Sequence, residues 1–126
     1  MESQESPPVL IGVVGPCSAG KTTLIKGLQQ NGYAVRHIAQ EHSFVPDMWR
    51  RLVNPRYLIY LDVSYPVSMK RKPLDMTEVE FIEQISRLEH ARHNADIYIN
   101  TDQLPPNEVL IRVLRFLAES EHCIEP

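Results

Sequence analysis

Eight consecutive residues, Gly15-Pro16-Cys17-Ser18-Ala19-Gly20-Lys21-Thr22, match the spacing G-x-x-x-x-G-K-[ST] of a phosphate-binding loop. Each type has a chemical reason to be there. Gly15 and Gly20 have no Cβ to keep backbone N–H groups away from phosphate oxygens. Lys21 offers a point charge to the β- and γ-phosphates, and the Thr22 hydroxyl a ligand to Mg²⁺. With Thr23 in the same first turn, residues 15–23 form the expected cofactor-binding set. The chemistry they suit is binding of a nucleoside triphosphate with Mg²⁺, ATP first and GTP left open, followed by phosphoryl transfer.

Such a loop works only between a strand and a helix, which together aim several N–H groups and a helix N-terminus at one point. The flanks meet that requirement. Val9 to Val14 is an unbroken apolar run, suited to a central parallel strand. Leu24, Ile25 and Leu28 follow at helical spacing, and Asn31-Gly32 is a stop signal. Tyr33 to Ile38 reads as a second strand, then residues 39–46 as a loop, and Asp47 to Leu52 as a short helix with Asp47 as its N-cap. Tyr57 to Val63 is a third strand. Ser64, with Pro66 behind it, caps a helix to about Arg71, stopped by Lys70-Arg71-Lys72-Pro73. Thr77-Glu78-Val79-Glu80 is a capping box opening a helix to about His93, with Val79, Ile82, Ile85 and Leu88 as its apolar stripe. Ile97 to Asn100 is the last strand, and a helix over about 106–119 turns Val109, Leu110, Val113, Leu114 and Leu117 to the sheet.

Alternating strands and helices imply an α/β fold: three layers, α/β/α, around a mainly parallel sheet of four or five strands. The 126 residues suit one domain over 9–120, between a loose tail at 1–8 and another at 121–126. In such sheets ligands sit at the carboxyl ends of the strands, here the loops after 14, 38, 62 and 100. A net charge of −3 argues against nucleic acid as a partner. No apolar run is long enough to span a membrane, and the N-terminus lacks signal-peptide features. Two cysteines far apart, Cys17 and Cys123, suit a reducing, cytoplasmic setting.

On its loop, the segment Leu58 to Ser64 with the helix and basic end behind it, and the segment Ala95 to Asp102, the chain resembles the P-loop small-molecule kinases (thymidylate, adenylate, shikimate and adenylylsulfate kinases). Only the loop is specific to that group. The resemblance implies a P-loop NTPase fold, Mg-ATP as cofactor, and a small acceptor or water as phosphoryl recipient. By the same resemblance Arg71 is a lid arginine reaching the transferring phosphate, and Thr101 and Asp102 lie against the nucleobase. Glu41 stands roughly where these kinases place an acidic residue that meets acceptor or metal. It reads equally as a solvated loop carboxylate. Asp62 reads as a Walker-B-like metal ligand or, the preferred role, as a cap of the next helix. Residues 39–56 are too short for the family's acceptor-binding insertion. That brevity keeps open a second class of function, a regulatory module whose Glu41–Pro46 loop presents nucleotide occupancy to a protein partner.

Several other residues could do chemistry. Arg50 and Arg51 could hold an anionic acceptor, or simply face solvent. Met48 and Trp49 read as cover for a core edge or for the mouth of the site. Cys17 at a helix N-terminus has a reason to form thiolate, or is a small filler. His90 and His93 share one helix at a spacing that can bind metal, but a solvated face is the plainer reading. The Asn-Lys-x-Asp motif that reads guanine is absent from the sequence.

Overall fold

An apolar run without alternation has no face to give to water, and Leu10–Val14 (β1) lies inside the sheet with Ile11, Val13 and Val14 fully buried. The computed structural model describes residues 9–72 and 76–124. The expected loose tail at 1–8, the stop at Pro73 and residues 125–126 lie outside that range.

In chain order the elements are β1, α1 (Lys21–Gln30), β2 (Ala34–His37), a 3-10 turn (Gln40–His42), α2 (Met48–Leu52), β3 (Tyr57–Asp62), α3 (Tyr65–Arg71), α4 (Glu78–Arg87), α5 (Glu89–Asn94), β4 (Ile97–Asn100) and α6 (Pro106–Ile124). The sheet has four strands in the order β2-β1-β3-β4, all parallel. Of the four or five strands expected, four form among the described residues. Residues 39–56 contribute the 3-10 turn and the short α2 and no further strand.

Side chains alternate across β3 and feed two cores. Tyr57, Ile59 and Leu61 pack with Leu24 and Leu28 of α1, Phe81 of α4 and Val109, Val113 and Leu117 of α6. Leu58 and Tyr60 pack on the other side with Ile38, Trp49, Leu88 and Ala91. Helices therefore cover both faces of the sheet. Among the described residues no helix is long and apolar enough to cross a membrane.

Four local expectations change. The helix expected to run to His93 breaks at Leu88, with α4 before it and α5 after it. The break serves packing: Phe81 belongs to one core, while Leu88 and Ala91 belong to the other. The capping box at Thr77 and Glu80 forms as expected, but the buried face of α4 is rotated from the expected stripe. Val79 and Ile82 are 66% and 59% exposed, whereas Phe81 and Gln84 are buried. Gln84 can be buried because its amide bonds the Cys17 N–H (3.2 Å) and Sγ (3.3 Å). Asp47 precedes α2 without a side-chain capping bond, its carboxylate pairing with Arg51 at 2.9 Å instead. Finally, α6 continues to Ile124, through most of the tail expected at 121–126, since no Gly or Pro interrupts it before Pro126.

The rotated face has a measurable consequence. Ile82→Lys is expected to change unfolding free energy by less than about 0.5 kcal/mol, as an ordinary surface substitution does. Chemical denaturation checks it, and a loss of several kcal/mol would restore the stripe first expected.

Candidate functional site

Because all four strands are parallel, the loops at their C-terminal ends gather along one edge of the sheet. One strand approaches another very closely there, at Gly15. Its φ is +154°, and a Cβ on it would stand 2.1 Å from the carbonyl oxygen of Leu61. Ser18 and Gly20 also have positive φ, at 68° and 102°, which winds residues 15–20 into a concave loop before α1 opens at Lys21. Successive N–H groups in such a loop suit an anion.

Lys21 folds back into this loop. Its Nζ donates to the carbonyls of Gly15 and Pro16 (3.1 Å for the latter) and lies 3.0 Å from Glu41 Oε2. The pair is buried, with the two side chains 7% and 4% exposed. Glu41 is thus no solvated carboxylate. The 3-10 turn that carries it is stapled by Gln40, which donates to the carbonyls of Val45 and Arg87 and accepts from the Trp49 N–H at 2.8 Å. Arg87 adds a hydrogen bond to the Glu41 carbonyl at 3.3 Å and lies over the Phe44 ring.

A cavity of about 390 Å³ opens here, lined by Cys17, Lys21, Thr22, His37, Glu41 and Arg71 among others. His37, the last residue of β2, went unnoticed in the sequence. Its place at a strand's carboxyl end is the one signal that could have found it. Partial burial, with the nearby Lys21 ammonium, holds its imidazole below the usual range, so it is neutral at pH 7.

A second cavity of about 350 Å³ adjoins the first across Ser18, Gly20, Thr23 and Arg71, and reaches Thr101, Leu104 and Val109. Arg71, at the end of α3, ties the two walls together. It donates to the Ser18 carbonyl (3.1 Å), to Thr101 Oγ1 (2.9 Å) and to the Thr101 carbonyl. Thr101 Oγ1 in turn donates to the Ala19 carbonyl at 2.9 Å. The loop after β4 is therefore bonded directly to the loop after β1.

Other expected site residues stay outside both cavities. Asp62 accepts from its neighbour's N–H, Val63, at 2.9 Å and from the Tyr98 hydroxyl, and it caps no helix. Ser64 performs that cap, while Asp102 accepts from the Ser64 N–H at 2.8 Å. Arg51 is taken by Asp47, and Arg50 lies over the Trp49 ring beside His90. Trp49 itself is core, its Nε1 donating to His90 Nδ1 at 3.1 Å. His93 faces Glu89 at 4.0 Å.

The residues around the first cavity fit a triphosphate and a divalent cation. The cradle begins at a glycine that tolerates no Cβ, a lysine and a hydroxyl stand at its helix end, and a carboxylate lies opposite. Two buried polar atoms here, Ser18 Oγ and Glu41 Oε1, have no hydrogen-bond partner among the described residues. Compared with models of known protein families and with curated proteins, the chain finds no match.

Proposed function

We propose that this chain is a P-loop nucleotide-binding protein of the small-molecule-kinase type, a single cytoplasmic domain with the P-loop NTPase fold. It binds Mg-ATP, with Mg-GTP as the alternative, and passes the γ-phosphate to a small acceptor or slowly to water. The observation that carries this reading is the meeting of Lys21, Thr22 and Glu41 around one cavity behind a loop that admits only glycine at its start.

Residues 15–23 would hold the phosphates, and Thr22 with Glu41 the Mg²⁺. Glu41 suits that role better than Asp62, whose carboxylate is turned to Tyr98. The bound nucleotide supplies an activated phosphoryl group whose charge the metal neutralises. Lys21, now bonded to the Gly15 and Pro16 carbonyls, would be the cation that holds phosphate oxygens. Arg71 holds the loop against Thr101, and Thr101, Leu104 and Val109 offer walls to a nucleobase. His37, neutral at pH 7, can accept a proton at the mouth of the cavity.

A second reading, a regulatory module with little turnover, is favoured by Phe44, 84% exposed in the segment that follows Glu41. One experiment tests the main reading and separates the two. Calorimetry should show Thr22→Ala losing more ATP affinity with Mg²⁺ than in EDTA. Steady-state phosphate release by the wild type should fall below the usual kinase range of about 1–100 s⁻¹, since few residues are available to exclude water or align an acceptor. Equal losses with and without metal would remove Thr22 from the metal site, and no ATP binding at all would remove the reading. Tight nucleotide retention without measurable release would favour the module.

A further inference from the structure

Beside the Lys21–Glu41 pair, three side chains of different chemistry converge on one point. The Cys17 sulfur, a Glu41 carboxylate oxygen and a His42 ring nitrogen all lie within 4.8 Å of one another. We propose that Cys17, Glu41 and His42 form a binding site for a borderline-soft divalent metal ion of the Zn²⁺ class, distinct in chemistry from the Mg²⁺ expected with a nucleotide.

The donor set decides the metal class. Thiolate and imidazole favour Zn²⁺ and its neighbours, whereas Mg²⁺ seeks oxygen and keeps its waters. Zn²⁺ with tetrahedral bonds of about 2.0–2.3 Å to N, O and S separates its ligand atoms by roughly 3.5 Å. A contraction of about one ångström from the observed spacing closes the site. His42 can supply it: its side chain is 60% exposed, and its Nε2 already stands 3.8 Å from Glu41 Oε2. The other two ligands are held in place. Glu41 sits on a turn fixed by Gln40 and Arg87, its side chain only 4% exposed, and its Oε1 is buried without a partner among the described residues. Gln84 Nε2 donates to Cys17 Sγ at 3.3 Å, a contact that orients the sulfur. Three protein ligands leave a fourth position open, as in zinc sites that bind an exogenous ligand.

Binding would displace the thiol proton from Cys17 to solvent as the Zn–S bond forms, with no change of oxidation state. The Lys21 ammonium, 3.0 Å from Glu41 Oε2, is the cation that competes for the carboxylate.

The test uses the full chain without nucleotide, so that its outcome is independent of the nucleotide reading. Titration with Co²⁺ as a spectroscopic stand-in should produce a thiolate-to-cobalt charge-transfer band. Zn²⁺ calorimetry should give one equivalent bound, with a heat that depends on buffer because a proton is released. Cys17→Ser, nearly isosteric, should abolish the band, and His42→Ala should weaken Zn²⁺ at least tenfold. Cys123→Ser and His93→Ala should leave both unchanged. Circular dichroism confirms that each variant is folded. Absence of the band in the wild type, its survival in Cys17→Ser, or unchanged Zn²⁺ affinity in His42→Ala would each overturn the proposal.

Discussion

Lys21→Ala is expected to abolish the stabilisation that the proposed Mg-ATP binding would give the fold and, separately, to weaken the protein without ligand. On the proposed reading, nucleotide at about one hundred times its Kd should add about 2.7 kcal/mol to the unfolding free energy of the wild type. In the variant that increment should fall to near zero, since the charge proposed to meet the phosphates is gone. The second effect comes from Glu41. Lys21 is its ion-pair partner at 3.0 Å in a site where both side chains are buried. Removing one member of a buried pair leaves the other charge uncompensated, at a cost of about 3–5 kcal/mol. Adding Glu41→Gln to Lys21→Ala should recover most of that second loss and none of the first. Urea unfolding with and without Mg-ATP reads both. Ligand stabilisation that survives in Lys21→Ala would sink the nucleotide reading. Unchanged stability without ligand would show that solvent already satisfies Glu41.

Gly15→Ala should be the more damaging backbone change. A Cβ there would be 2.1 Å from the Leu61 carbonyl oxygen, a backbone atom of the neighbouring strand that cannot turn aside. Strain at positive φ adds about 1–3 kcal/mol. The combined cost should exceed about 4 kcal/mol, a size reserved for a few mechanisms of damage. Gly20→Ala provides the contrast: φ is +102°, but among the described residues nothing beyond its chain neighbours lies within 4 Å of an added Cβ. Its loss should stay within the strain term alone. Denaturation midpoints of the two variants decide the matter, and equal losses would mean that the loop relaxes away from Leu61.

Local chemistry was legible in the sequence wherever the physical cause is short in range. The apolar run of β1, the stop at Asn31-Gly32, the Ser64 cap and the Thr77–Glu80 capping box all appear where neighbouring residues demand them. The parallel sheet follows from strands alternating with helices, as does the gathering of loops at one edge. Tertiary structure alone decided what fills that edge. Glu41 reads equally as solvated or functional until the turn at Gln40 brings it to Lys21, twenty positions away. Arg71 joins Ser18 to Thr101 across 53 and 30 positions, and Asp62 turns to Tyr98, 36 positions on. The exposed faces of Val79 and Ile82 are of the same kind: α4 buries Phe81 and Gln84 in their place, the latter bonded to Cys17, 67 positions away. Hydropathy reports which residues prefer to be buried. Which polar groups can be buried depends on partners that only the folded chain brings within hydrogen-bond reach.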